Sequence, residues 1–248
     1  NFTWGNPEKP ERLGSLVRAC ESCYDVATAF RTPFISGKDS LYNESPLGPV
    51  TPTLLITAVG IVPDVRSTVS MDLKEPGNLI YIIGDTHPEM GGSEYYKLKG
   101  FLGKSVHKLH STKARKTYYS LTKAMNACVI KSCHDLSEGG LAVAAAEIAF
   151  ACDYGLELDL RLMSNKSTTR NDFLLFSESN SRFLIEIAEQ DSSKFEQLMK
   201  NKVYKSIGKV TKDANLLIRG LKGKAIVDAG LAELRHSWKK TLSMEEQD

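Results

Sequence analysis

The chain has no apolar run long enough to span a membrane and no secretory signal at its start. That leaves no sequence basis for a membrane partner. Its 248 residues carry 32 basic and 30 acidic side chains, a net charge of only +2. A balance that near neutrality gives no electrostatic footprint for nucleic acid. The small basic clusters, Lys97 with Lys99 and Lys113 with Arg115 and Lys116, read as solvated faces. Five cysteines are too few and too scattered for a disulfide scaffold, so reduced thiols in a cytoplasmic protein are the simplest reading. Cys20 and Cys23 form a lone C-x-x-C pair with no second pair and no nearby histidine, which argues against zinc. They read as part of a buried helix face. There is no internal repeat, no low-complexity tract and no initiator methionine. The opening NFTWGNP looks like the interior of a motif, so the chain is expected to be an excised piece of a longer polypeptide.

What is present is an ordinary globular composition, 42% hydrophobic and 25% charged. The length suits one large domain or two smaller ones. Leu13, Leu16, Val17, Cys20, Cys23, Tyr24, Ala27 and Phe30 recur at helical spacing, which predicts a helix from Glu11 to Phe30 behind Pro10. Strands are expected at Phe34–Ser36 and Thr53–Val62. The Glu75–Asn78 segment, EPGN, is the best turn and boundary signal. Beyond it the pattern predicts strands at LIYIIGD, ACVIKSC, GLELDL, DFLLF, RFLIEIAE, YKSIGKV, NLLIRG and KAIVDA. Helices are expected around Ala114–Met125, from Leu141 to Cys152 with Gly155 as its C-terminal cap, and from Asp191 to Lys200 with Asp191 as N-cap. The tail SMEEQD reads as frayed. The fold class is therefore α+β, with residues 1–75 as a first α/β domain, 76–240 as a second α+β domain and 241–248 as a tail.

The segment TPFISGKDSLYNE, Thr32 to Glu44, carries the most chemistry. An apolar run enters a glycine turn, Gly37, followed by a cation (Lys38), an anion (Asp39) and a hydroxyl (Ser40). A glycine there lets backbone N–H groups approach a ligand. The lysine can neutralise phosphate and the carboxylate can hold a metal. A Walker P-loop requires glycine where this chain has Thr32, so that motif is absent. A solvent-facing turn is the competing reading. HDLSEGGLAVAAAE, His134 to Glu147, delivers His134, Asp135 and Glu138 to a loop that enters a helix through Gly139 and Gly140. Helix N-termini attract anions, although plain capping would also use Ser137 or Asp135. LFSESNSRF places Glu178 and Asn180 on a polar island, either a hairpin turn or a ligand-contacting loop. GGSEY at Gly91–Tyr95 is similar and weaker.

Taken in order, NFTWGNPEKPE, ISGKDSLYNE, GGSEYY, CHDLSEGGLAVAAAE and LFSESNSR resemble the phosphoribosylformylglycinamidine synthase family, PurL type, second half of the synthetase subunit. The resemblance covers nearly the whole chain. It implies a PurM-like fold of the aminoimidazole ribonucleotide synthetase superfamily, an α/β domain followed by an α+β domain. It also implies part of an ATP-dependent ligase that makes formylglycinamidine ribonucleotide from formylglycinamide ribonucleotide, ATP and glutamine-derived ammonia. By resemblance Gly37 and Lys38 contact ATP and Ser40 contacts the ribonucleotide substrate. Lys38 stands where many relatives carry a magnesium-binding asparagine. A charged lysine cannot ligate Mg²⁺, so Lys38 is expected to pair with a phosphate instead, and Asp39 is a candidate replacement ligand. His134, Asp135, Glu138, Glu178 and Asn180 correspond to the duplicated counterpart of a site in the first half. No catalytic residue is assigned. The implied partners are the missing first half of the polypeptide and a glutaminase subunit or domain. The fragment alone is expected to be inactive, and its exposed half-to-half face would favour a homodimer. Two other readings are a paralogous synthetase or kinase, against which SLYNE and SEGGL argue, and a non-catalytic half that holds nucleotide structurally.

Overall fold

The computed structural model describes residues 1–163 and 168–240. The described residues divide into two compact units, residues 1–63 with 111–115, and residues 64–110 with those from 116 to the end of the described chain. The expected tail lies outside the described residues.

The first unit has little regular sheet. β1 (Phe2–Thr3) pairs in parallel with β2 (Asp39–Ser40) and antiparallel with β5 (Thr53–Leu54), and β3 (Glu44–Ser45) pairs with β4 (Gly48–Pro49). α1 spans Pro10–Phe30, close to the expected bounds. It starts with proline in its first turn and ends with Arg31 in the left-handed conformation, φ 59°. The predicted apolar face exists but buries no residue; Val17 and Tyr24 are exposed, as is Cys20. The expected buried C-x-x-C face is corrected accordingly. The expected strand Phe34–Ser36 has no ladder partner, and Thr53–Val62 pairs only at its first two residues. Leu55, Ile56, Val59, Ile61 and Val62 are exposed. β-branched residues favour extension, but a strand forms only where another backbone edge accepts its hydrogen bonds.

The second unit is a seven-stranded sheet. Its strands are β6 (Leu79–Ile83), β7 (Ile130–Asp135), β8 (Gly155–Asp159), β9 (Phe183–Ile187), β10 (Tyr204–Thr211), β11 (Asn215–Arg219) and β12 (Ala225–Gly230). They lie in the order β12-β11-β8-β10-β6-β9-β7, antiparallel except for β11 against β8. Side chains alternate across β6. Ile80 and Ile82 join one core with α4 (Gly140–Phe150), while Tyr81 and Ile83 join a second with α3 (Ser111–Asn126) and α6 (Ser192–Leu198). Both faces of this interior strand are thus covered, which is why LIYII reads as a continuous apolar run. The remaining helices are α2 (Glu94–Leu98), α5 (Asn171–Phe176) and α7 (Leu231–Lys240).

Three sequence expectations change here. DFLLF is helical, within α5, and buries Leu174 and Leu175. A short apolar run carries no period that separates strand from helix. Gly155 lies inside β8, where a Cβ would run into Asp213 O, and does not cap α4. The free carbonyls of α4 are met instead by Arg235 of α7, which donates to Phe150 O at 2.7 and 2.9 Å and to Cys152 O at 2.9 Å. Asp191 precedes α6 but its side chain makes no capping hydrogen bond.

Candidate functional site

In the first unit the opening segment and the GKDS loop fold onto each other. Phe2 N donates to Lys38 O at 2.9 Å and Trp4 N to Ser40 O at 3.0 Å, so β1 holds the loop from one side. Trp4 is buried and its Nε1 donates to Ser15 Oγ at 2.9 Å, fixing β1 to α1. Glu44 gathers the rest, accepting from Asn6 N at 2.8 Å and pairing with Lys9 at 2.8 Å and with Arg12. The loop turns back through Tyr42, held at φ 61°, a costly conformation for a residue with a side chain.

Within this frame the predicted residues have distinct surroundings. Gly37 is open: a Cβ added there would meet nothing within 4 Å. Its glycine is therefore not demanded by packing. Lys38 is exposed and its Nζ donates to Asp39 O. Asp39 is exposed. Ser40 is half-buried, with its Oγ accepting from Asn43 Nδ2 at 3.2 Å and its carbonyl from the same amide at 2.6 Å. Sequence reasoning missed Asn43 as the residue that orients Ser40. The signal was available in the SLYN spacing, since an amide three residues on can bond back to the turn.

The second unit brings three motifs together. β7 delivers His134, whose Nε2 lies 2.8 Å from Glu147 Oε2 on α4 and whose Nδ1 lies 3.5 Å from Asp135 Oδ1. His134 is thereby held between two carboxylates. Gly139 and Gly140 are both left-handed, φ 75° and 62°. A Cβ on Gly140 would meet Ser177 O at 2.5 Å and Leu175 O at 2.8 Å, so this glycine is required where α4 meets the 175–177 backbone. Glu138 is exposed and accepts from Ser137 Oγ at 3.2 Å. Asn180 is exposed on the loop between α5 and β9. Because α5 is a helix, that loop is no hairpin.

Glu178 bridges the motifs. Its Oε1 accepts from Gly139 N at 2.9 Å and from Glu94 N, at the start of α2, at 3.0 Å. The GGSEY glycines also have a structural use. Gly91 N donates to Ser105 O and Gly92 N to Leu102 O, and a Cβ on Gly91 would strike the Ser105 backbone. Beneath the loop sits Arg182, fully buried, with Nε donating to Ser179 O at 2.8 Å, Nη1 to Thr86 Oγ1 at 3.1 Å and Nη2 to Ser177 O. Burial lowers Arg182 to about 10, with Glu89 and Glu178 opposing the shift, so it stays charged at neutral pH. Sequence reasoning missed Arg182 as well.

No group of three or more His, Cys, Asp or Glu among the described residues could hold a metal ion. No helix among them is long and apolar enough to cross a membrane.

A profile of the family described as AIR synthase related protein, C-terminal domain, matches residues 75–219. The phosphoribosylformylglycinamidine synthase subunit PurL of Methanothrix thermoacetophila is 32% identical over 97% of this chain, which spans 32% of that relative. Thermotoga maritima PurL complexed with FGAR superposes with TM-score 0.68 at 14% identity, covering 85% of this chain and 36% of that one. The same protein complexed with ATP gives 0.62 at 15%, covering 85% and 34%. Escherichia coli HypE, a hydrogenase maturation protein, gives 0.63 at 14%, covering 93% and 71%. At these identities the structural matches establish the α+β architecture and no chemistry. The profile, in contrast, takes in more than half of the chain, from the EPGN turn to the end of β11, and on that ground the chain belongs to the AIR synthase-related family.

Proposed function

We propose that this chain is part of an ATP-dependent carbon–nitrogen ligase. The parent enzyme would convert formylglycinamide ribonucleotide, ATP and glutamine-derived ammonia to formylglycinamidine ribonucleotide, ADP and phosphate. The observation that carries the reading is 32% identity to a PurL subunit over 97% of the chain. The local geometry supports it. Gly37 is open to a ligand, with the exposed cation of Lys38 beside it and an oriented serine three residues on. An amide carbonyl is a poor electrophile. Transfer of the γ-phosphoryl to its oxygen makes a leaving group that ammonia displaces. The chain's share of that chemistry is to hold ATP and ribonucleotide in line and to neutralise phosphate charge. Gly37 N–H and Lys38 serve the nucleotide phosphates, and Ser40, held by Asn43, serves the ribonucleotide.

Mg²⁺ would rest on Asp39, whose exposed carboxylate makes no hydrogen bond among the described residues. One carboxylate with phosphate oxygens and water is a usual set for this ion, which would neutralise phosphate charge. The second site, with His134, Asp135, Glu138, Glu178 and Asn180, is a counterpart cleft. The exposed apolar side chains of α1 and of residues 55–62 support an interface with a missing first half or, without it, a homodimer. A glutaminase partner and cytoplasmic residence complete the reading. The division into domains 1–75 and 76–240 remains part of it.

Thermal unfolding with ATP or ADP and Mg²⁺ tests the nucleotide assignment. Ligand at a hundred times its dissociation constant adds about 2.7 kcal/mol. That is a rise of about 2–4 °C per kcal/mol for a chain of this size. The rise should vanish in Lys38→Ala. An equal rise in the variant would remove nucleotide from the GKDS loop. Formation of formylglycinamidine ribonucleotide by this chain alone, given ammonia and ATP, would contradict the inactivity expected of the fragment.

A further inference from the structure

Glu178 lies on the loop read as either a hairpin turn or a ligand-contacting loop, and one oxygen of its half-buried carboxylate is taken up by backbone N–H groups. We propose that Glu178 is a positioning residue that fastens the two glycine turns of the second site to one oxygen atom, with Arg182 as its foundation. The proposal rests on the functional reading above only for its consequence; the clamp itself needs no ligand.

The first N–H groups of a helix have no partner within it. Glu94 N opens α2 and Gly139 N precedes α4, and the two turns are remote in sequence. One oxygen of Glu178 satisfies both, at 3.0 and 2.9 Å. A carboxylate accepting backbone N–H at such positions forms a charge-assisted bond, stronger than a neutral one. The position of that oxygen depends on the residues either side. Ser177 O and Ser179 O both accept from Arg182, and its third acceptor, Thr86 Oγ1, belongs to the segment after β6. Three acceptors around one rigid plane fix the loop in a way a lysine cannot.

Two further contacts show that this geometry is built in. Gly84, φ 92°, leaves room that a Cβ would take from Ser181 O at 2.8 Å and Arg182 Cγ at 2.9 Å. Ser179 Oγ accepts from His87 N at 3.1 Å, tying the loop to the same segment. No carboxylate lies within hydrogen-bonding distance of Arg182 among the described residues. A buried charge is costly; here Glu89 and Glu178 offset part of that cost from a distance, and the guanidinium's hydrogen bonds go to carbonyls and a hydroxyl. The consequence is mechanical. The GGSEY turn, the SEGG turn and the SESN loop move as one body, so a ligand touching one is felt by the others.

The test is hydrogen exchange of backbone amides in the whole chain. In Glu178→Gln the amides of Glu94 and Gly139 should both stay protected, since an amide oxygen can still accept. In Glu178→Ala both should exchange faster by about tenfold or more, the factor a charge-assisted hydrogen bond is worth. Arg182→Lys should speed both amides together. A change at one amide without the other, in any of the three variants, would overturn the clamp. Should Glu178→Ala fail to fold, Glu178→Gln and Arg182→Lys decide alone, and amides that respond separately in Arg182→Lys would overturn it. Because no nucleotide is present, the outcome stands apart from whether the chain binds ATP.

Discussion

Replacing Gly140 by alanine should destabilise the chain, while the same change at Gly37 should not. Both glycines sit beside polar chemistry in sequence, Gly37 just before Lys38 and Asp39 and Gly140 just after Ser137 and Glu138. Their surroundings differ. Gly140 is left-handed, φ 62°, and a Cβ there would lie 2.5 Å from Ser177 O and 2.8 Å from Leu175 O. The left-handed conformation costs a residue with a side chain about 1–2 kcal/mol. Forcing a methyl group against fixed backbone adds about 1–3 kcal/mol. The carbonyls cannot retreat easily, since Ser177 O is held by Arg182. Together these give about 2–5 kcal/mol, or roughly 4–20 °C in Tm at about 2–4 °C per kcal/mol. At Gly37 nothing lies within 4 Å and φ is ordinary, so alanine should leave stability unchanged or raise it by about 0.4–1 kcal/mol through the unfolded state. Thermal unfolding of the two variants and the parent reads both expectations. A Gly140→Ala midpoint within 1 °C of the parent, taking ~1 °C as well below the effect of 1 kcal/mol, would refute the geometry at the α4 entrance. A large loss in Gly37→Ala would show that Gly37 serves the fold and not a ligand.

Glu186 is fully buried and accepts from Lys74 N at 2.8 Å, Glu75 N at 3.0 Å and Asn78 Nδ2 at 2.7 Å. Glu186→Gln turns one acceptor into a donor facing donors, so about 1–3 kcal/mol should be lost and the Lys74 and Glu75 amides should exchange faster. Cys133, pushed up to about 12 chiefly by burial, should resist alkylation at pH 8 while exposed Cys20 and Cys128 react. Its modification before unfolding would contradict the packing. Tyr81 is also raised to about 12, by burial and by its hydrogen bond to Glu196. Both groups keep their protons in the folded chain after the unfolded chain has lost them. Stability should therefore fall as pH climbs from about 9 toward 12, and a flat midpoint across that range would be inconsistent with these shifts.

The sheet of the second unit was legible because its strands are long, apolar and bounded by turn residues, as LIYII and FLIEI show. α7 escaped notice although Leu231, Leu234 and Trp238 share helical spacing, with Leu231 buried and Trp238 against Phe150. Its cue was that period, without a capping residue to announce it. DFLLF was misread because five residues cannot display a period. In the first unit the pattern of α1 was clear, but periodicity marks which face is apolar and not what covers it. At the candidate sites, Gly37, Lys38 and His134 could be read as chemistry. Arg182 could not, because only the fold reveals that its charge is buried under two serine carbonyls.

The anchor at Glu186 also says where the second unit can be cut. The family profile begins at residue 75, one position after an amide that Glu186 holds and two after Leu73, a core residue only 2% exposed. It ends at residue 219, before β12 and before Arg235, which closes the carbonyls of α4. A piece excised on those bounds would lose a core side chain, an edge strand and a helix cap together. The stretch expected to fold independently runs from about residue 64, where the compact unit starts, to Lys240 at the end of α7. The span of the family profile is thus shorter than what the second unit needs to stand alone.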